Sequence, residues 1–150
     1  MPLIQLKFAT PQHNSDARSK ALVPTLAAQA SALAAEFLRK DPKVTAVIVE
    51  EVKAESWFCA GRSLSEQGRA SFWLDIKITD STNTKDEKAA FIAHAFDAMQ
   101  AILGPLHEES YVLVHDVHGY AYGYGGRTQE QRYIAGKPDA PAQTLTRRAG

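Results

Sequence analysis

The residue best suited to chemistry is the second one, Pro2. A small second residue permits removal of the initiator methionine, and the mature chain would then begin with a secondary amine. A free α-amino group titrates at about 8. An apolar pocket or a nearby cation lowers that value toward neutrality. There the amine can serve as a general base, where a lysine would stay charged. Other candidates carry less. Cys59 is the only cysteine, so no intrachain disulfide and no multi-thiolate zinc site is expected. No activating partner stands near it in sequence, which marks it as a small buried hydrophobe. His115-Asp116-Val117-His118 looks metal-like, but residues three apart on a strand point to opposite faces, so no metal is expected there. His13 and His94 belong to no constellation. Tyr120, Tyr122 and Tyr124, spread through Gly119 to Gly126, lack the clustered basic residues of a base-stacking surface. A glycine-rich hairpin packed between subunits accounts for them better.

These residues need elements to position them. Leu3, Ile4, Leu6 and Phe8, with Gln5 and Lys7 between, predict a strand. Ala9 to Ser19 is a polar loop. Lys20 to Lys40 is helical, with Leu22, Leu26, Leu33 and Phe37 near one face; Pro24 either begins this helix or kinks it, and Asp41-Pro42 closes it. The β-branched run Val44 to Val52 predicts a second strand, buried on both faces. The pattern then returns. Phe72 to Thr79 is a strand, and Asp80 to Thr84 a turn and cap. Lys85 to Leu103 is a helix with Ile92, Phe96, Met99 and Leu103 on its apolar face. Tyr111 to Val117 is the fourth strand.

The chain is thus β-α-β twice, in halves of about 2–69 and 70–127. Trp57, Gly61 and Arg62 lie 65 positions before Tyr122, Gly126 and Arg127, whereas Gln5 and Lys7 lie 70 before Asp75 and Lys77. The mismatch places about five extra residues in the first half, in the Ala9–Ser19 loop. The expected fold is α/β (α+β): a four-stranded sheet with both helices on one face, each helix a right-handed crossover. With no helix left for the other face, another subunit must cover it. Residues 128–150 read as an extended arm or frayed tail, and Arg147-Arg148 as a solvated end.

Composition sets the frame. The chain has 150 residues, 17 basic and 17 acidic, for a formal charge of zero. At this length about 68–70% of the unfolded surface is buried on folding, enough for one core. Neutrality speaks against a general nucleic-acid surface. No apolar run approaches the roughly 20 residues of a membrane helix. The amino end lacks a signal peptide's basic start and unbroken apolar stretch. A cytoplasmic protein without nucleic-acid or membrane partners is expected.

Pro2 at the head of an alternating strand, followed by helix, apolar strand, acidic residue and aromatic/glycine hairpin, resembles the tautomerase superfamily. The residues that carry the likeness are Pro2-Leu3-Ile4-Gln5-Leu6, Val47-Ile48-Val49-Glu50-Glu51-Val52, and then Trp57, Ala60 and Gly61. Val112-Leu113-Val114-His115-Asp116-Val117 and Tyr122-Gly123-Tyr124-Gly125-Gly126 repeat the pattern, so the likeness covers about residues 2–127. The short pattern is similar to 4-oxalocrotonate tautomerase, and the duplicated architecture to the macrophage migration inhibitory factor fold. The resemblance implies a fused chain assembling as a homotrimer. Pro2 would act on a small enol or 2-oxo acid without a cofactor, in a pocket completed by a neighbouring subunit. Phe72 stands where the second half would carry its proline. The resemblance gives Trp57 as an aromatic wall, Tyr122 as its counterpart, and Tyr111 as a phenol able to hydrogen-bond a substrate oxygen.

The departures narrow the substrate. Ala46 stands where the short enzymes carry a strand arginine, and their other arginine falls near Gln12. Asp80-Ser81-Thr82-Asn83 replaces the basic residues of the chloroacrylic acid dehalogenases. An anionic substrate would need Lys7, Lys77, Arg18, Arg62 or Arg127, with Arg62 and Arg127 the first choices. The leading expectation is a keto–enol tautomerase with neutral Pro2 as base. The alternatives are a hydratase or dehalogenase with protonated Pro2 as acid, and a non-catalytic trimeric binding protein.

Overall fold

Ile4, Leu6 and Phe8 alternate with Gln5 and Lys7, and the alternation sends the first set inward, where each is at most 1% exposed. The computed structural model describes residues 1–11 and 16–137. The chain divides into one unit of Met1–Val117 and a second beginning at His118. The first unit runs β1 (Leu3–Ala9), α1 (Asp16–Leu38), β2 (Ala46–Glu51), β3 (Phe58–Cys59), β4 (Arg62–Ser63), α2 (Leu64–Gln67), β5 (Ser71–Thr79), α3 (Lys85–Leu103) and β6 (Tyr111–Val117). Its sheet has the order β2-β1-β5-β6. β1 is parallel to β2, antiparallel to β5, and β5 is parallel to β6. This is the tandem β-α-β sheet expected from the sequence.

Both long helices lie on one face. Leu26, Ala30, Leu33, Ala34 and Leu38 of α1 and Phe91, Ala95, Met99 and Leu103 of α3 meet Ile4, Leu6, Phe8, Phe72, Leu74, Ile76 and Ile78 of the sheet. Phe37 and His94 stack across the two helices with ring centroids 4.3 Å apart. Thr84 caps α3 through a reciprocal pair with Glu87, an arrangement worth about 1 kcal/mol. Among the described residues of this unit no helix lies over the opposite sheet face, and Leu3, Ile48 and Tyr111 stand exposed.

Three expectations are corrected and one open choice is decided. The second strand is not buried on both faces: β2 is an edge strand with Val47 and Val49 half-buried and Ala46 and Ile48 exposed. Its β-branched run is satisfied by one packed face alone. The apolar face of α3 centres one residue earlier than expected, with Phe91 and Ala95 buried and Ile92 exposed, because an alanine rather than a large residue meets the sheet. Pro24 does not begin α1 but lies inside it, the position from which a proline kinks a helix. Finally, α1 contains 22 residues, Ala17–Leu38, long and apolar enough by length and composition to cross a membrane. Its alanines raise the average, and one side of the helix packs on the sheet.

The second unit contains β7 (Gly123–Tyr124), β8 (Arg127–Thr128) and α4 (Gln129–Ala135). Residues 129–135 are helical where an extended arm was expected. Thr128 and Gln131 form a capping box there, as Ser63 and Glu66 do before α2. These pairs keep the 65-residue offset, so the repeat continues beyond the hairpins into a capped helical turn. Residues 12–15, with Gln12 and His13, and residues 138–150, with Arg147-Arg148, lie outside the described residues.

Candidate functional site

Pro2 is buried, and its carbonyl accepts a hydrogen bond from the Ala46 N–H at 3.2 Å. Because β1 is antiparallel to β5, Leu3 lies opposite Lys77, and Lys77 in turn pairs with His115. The start of β1 therefore meets the carboxyl-terminal ends of β5 and β6. The crossover helix α1 also ends here, since it must return the chain to the start of a parallel neighbour. That return brings in residues 39–41. Arg39 adopts φ +54°. Its guanidinium donates to the Thr82 carbonyl at 3.2 Å and pairs with Glu87. Lys40 Nζ donates to Thr82 Oγ1 at 2.9 Å. Lys88 and Asp116 form an ion pair at 2.5 Å.

This setting acts on the chain's α-amino group. Partial burial at Met1 lowers its pKa below the ordinary value; the Lys40 cation lowers it further, and Asp41 opposes both. The Lys40 ammonium is itself pushed down, first by burial and then by Arg39 and Lys88, with Asp116 opposing. Sequence reasoning missed Lys40. Its signal was available: in a β-α-β unit, the residues just after the helix lie beside the start of the first strand.

The other candidates fall elsewhere. Tyr111 pairs with Trp73, which pairs with Lys7, toward the opposite end of β1 from Pro2. Its ring is exposed. Trp57 is half-buried against Ala9, Ala54, Cys59 and Leu64, also at that far end. Arg62 is exposed, pairs with Cys59 in the hairpin, and lines a cleft of about 540 Å³. Within one chain, then, Pro2 and these three residues sit at opposite ends of the sheet. In the second unit, Tyr122 and Arg127 share the lining of a cleft of about 310 Å³ with Tyr120 and Thr128. The Ala60-Gly61 and Gly125-Gly126 turns of the two hairpins all have positive φ, the conformation of two-residue hairpin loops.

Two further groups were not anticipated. Asp75, 6% exposed, sits 2.5 Å from Lys77 Nζ and 2.9 Å from His115 Nε2. His115 Nε2 thus lies beside a carboxylate, while His118 stacks on Tyr120 in the second unit. Cys59 is buried as expected, yet it does have polar neighbours, His107 and Glu109.

Four strands in the order β2-β1-β5-β6 with two crossover helices on one face define the fused tautomerase/MIF-type fold. Neither a protein-family model nor a curated protein sequence matches the chain; solved structures do. A fused 4-OT in a symmetric trimer is 21% identical with a TM-score of 0.68, covering 90% of this chain and 99% of that one. A member of the cis-3-chloroacrylic acid dehalogenase family is 16% identical with a TM-score of 0.66, covering 89% and 92%. The macrophage migration inhibitory factor-like protein of Entamoeba histolytica is 16% identical with a TM-score of 0.65, covering 85% and 97%. The chain therefore has their fold.

Proposed function

We propose that the protein is a member of the tautomerase superfamily: a cofactor-independent isomerase that moves a proton on a small enol or 2-oxo acid, with Pro2 as general base after Met1 is removed. The observation that carries this reading is the position of Pro2, buried at the head of β1 and next in the chain to a Met1 amine whose pKa burial and the Lys40 cation lower. While Met1 is attached, the Pro2 nitrogen is an amide and has no basicity. Burial and the Lys40 cation lower the pKa of the Met1 amine one residue before it, and the freed Pro2 amine is taken to meet the same kind of surroundings, which favour its neutral form. A neutral amine accepts a proton from a substrate carbon or hydroxyl and returns it at another carbon. A hydrogen-bond donor or cation steadies the oxyanion that forms between the two steps. Lys40 is the cation that acts on the Met1 amine, and it joins Arg62 and Arg127 as a candidate for an anionic substrate.

The same electrostatics favour the base reading over a hydratase or dehalogenase in which Pro2 must stay protonated. Trp57, Tyr111 and Arg62 reach such a site only from a neighbouring chain. A homotrimer, the state named for the fused 4-OT neighbour, supplies one. Intact mass and turnover of 2-hydroxymuconate or phenylenolpyruvate test the reading together. Loss of Met1, with activity abolished in Pro2→Ala, is the expected result. Retained Met1, or a Pro2→Ala enzyme as active as the parent, overturns it.

A further inference from the structure

At the far end of β1 from Pro2, Cys59, His107 and Glu109 converge from distant parts of the sequence. The thiol sulfur, an imidazole nitrogen and a carboxylate oxygen all lie within 4.8 Å of one another. Cys59 is 3% exposed, walled by Ala9, Ala54 and Leu64, while His107 is half-buried and Glu109 exposed. The cluster is dry on one side and open on the other.

The backbone that carries it is pinned. Gln67 Nε2 donates to the carbonyls of Cys59 at 2.9 Å and Arg62 at 3.0 Å, fixing the hairpin. The His107 N–H donates to the Ala70 carbonyl at 2.8 Å. The His107 carbonyl accepts from Ser110 Oγ at 2.7 Å, and the Glu109 carbonyl from Ser71 Oγ at 3.2 Å. The Glu109 N–H donates to His107 Nδ1 at 3.1 Å, orienting the ring.

We propose that Cys59, His107 and Glu109 form a binding site for one zinc-class divalent transition metal per chain. The donor set decides the class. Magnesium and calcium demand oxygen ligands throughout, whereas one thiolate, one imidazole and one carboxylate suit a borderline cation such as Zn²⁺. Bond lengths in a tetrahedral zinc site space the ligand atoms about 3.4–3.6 Å apart. From separations no greater than 4.8 Å, side-chain rotation closes the rest. Three protein ligands leave a fourth position for water. The cleft that Arg62, Gln67, Arg69 and His107 line gives it access.

The competing role for a cysteine beside a histidine is that of a nucleophile, and the surroundings oppose it. Burial first, and then the Glu109 carboxylate, push the Cys59 thiol pKa up rather than down, the reverse of an activated thiol. A divalent cation inverts that balance. It displaces the thiol proton to solvent, so binding releases one proton per metal. The carboxylate that disfavours a bare thiolate then becomes a ligand.

The full chain, stripped with a chelator and titrated with Co²⁺, tests this. Because Cys59 is the sole cysteine, a thiolate-to-cobalt charge-transfer band in the near ultraviolet reports this site alone. The band should saturate at one Co²⁺ per chain and vanish on adding Zn²⁺. It should be absent in Cys59→Ser. His107→Ala and Glu109→Gln should weaken Co²⁺ binding at least about 10-fold. Circular dichroism of each variant separates a lost ligand from a lost fold, and the Glu109 change touches only an exposed side chain. No band with the parent protein, or a band unchanged in both His107→Ala and Glu109→Gln, overturns the proposal.

Discussion

A proline amine can work as a base near neutral pH only if its surroundings resist its protonation, and Lys40 is the residue that tests this. The ammonium sits where it lowers the pKa of the chain's amino group and is held by Thr82. If Pro2 must be neutral to act, activity rises with pH through the amine's pKa. Replacing the cation in Lys40→Met raises that pKa, so the acidic limb of kcat/KM should move to higher pH. A shift of one unit corresponds to about 1.4 kcal/mol of lost repulsion. Were Pro2 instead a protonated acid, the same substitution would move the basic limb upward and widen the active range. A pH–rate profile of the two proteins distinguishes these outcomes. Lys40→Arg keeps the charge and should leave the limb near its original place.

At the scale of elements, packing is decided by which side of a helix meets the sheet. In α3 that side runs through Phe91, Ala95, Met99 and Leu103. Met99→Ala should therefore cost about 2–5 kcal/mol, whereas Ile92→Ala, on the 41% exposed side, should cost less than about 1 kcal/mol. Chemical denaturation of the two variants checks the orientation of the helix. The large apolar residues alone suggested a face through Ile92, because periodicity weighs side chains by hydrophobicity, and the buried small residue Ala95 carries little weight. The limits of α3 and β6, by contrast, were legible to the residue. Thr84 and Glu87 announce one end of α3, Gly104-Pro105 the other, and strict strand chemistry fills Tyr111–Val117. β2 misled for a related reason: a β-branched run shows that a strand exists but not whether it lies at the edge. Pro2 could be named as a candidate from the sequence because its chemistry depends on chain position. Lys40 and the Cys59–His107–Glu109 cluster were not, since only the topology brings their parts together.

At the largest scale the governing fact is the sheet of the first unit, whose two long helices lie on one face. Leu3, Ile48 and Tyr111 stand exposed on the other, and Asp75 pairs there with Lys77 beside His115. A nearly buried carboxylate is tolerated on this sheet face because the Lys77 ammonium pairs with it. The apolar residues around it have no such compensation within the unit. The chain's zero formal charge presents little long-range repulsion to copies of itself. If this face is where subunits meet in a trimer, a charge at Ile48 should block assembly while sparing the subunit. Ile48 is 54% exposed, so its side chain contributes little to the unit's own core. Ile48→Asp should convert a trimer to monomers by light scattering, with circular dichroism unchanged. If the proposed site is shared between chains it should also abolish isomerase activity, because within one chain Pro2 lies at the opposite end of the sheet from Trp57, Tyr111 and Arg62. A monomeric Ile48→Asp protein with full activity would show that one chain holds a complete site. A parent protein that is monomeric from the outset would remove the trimer from the account.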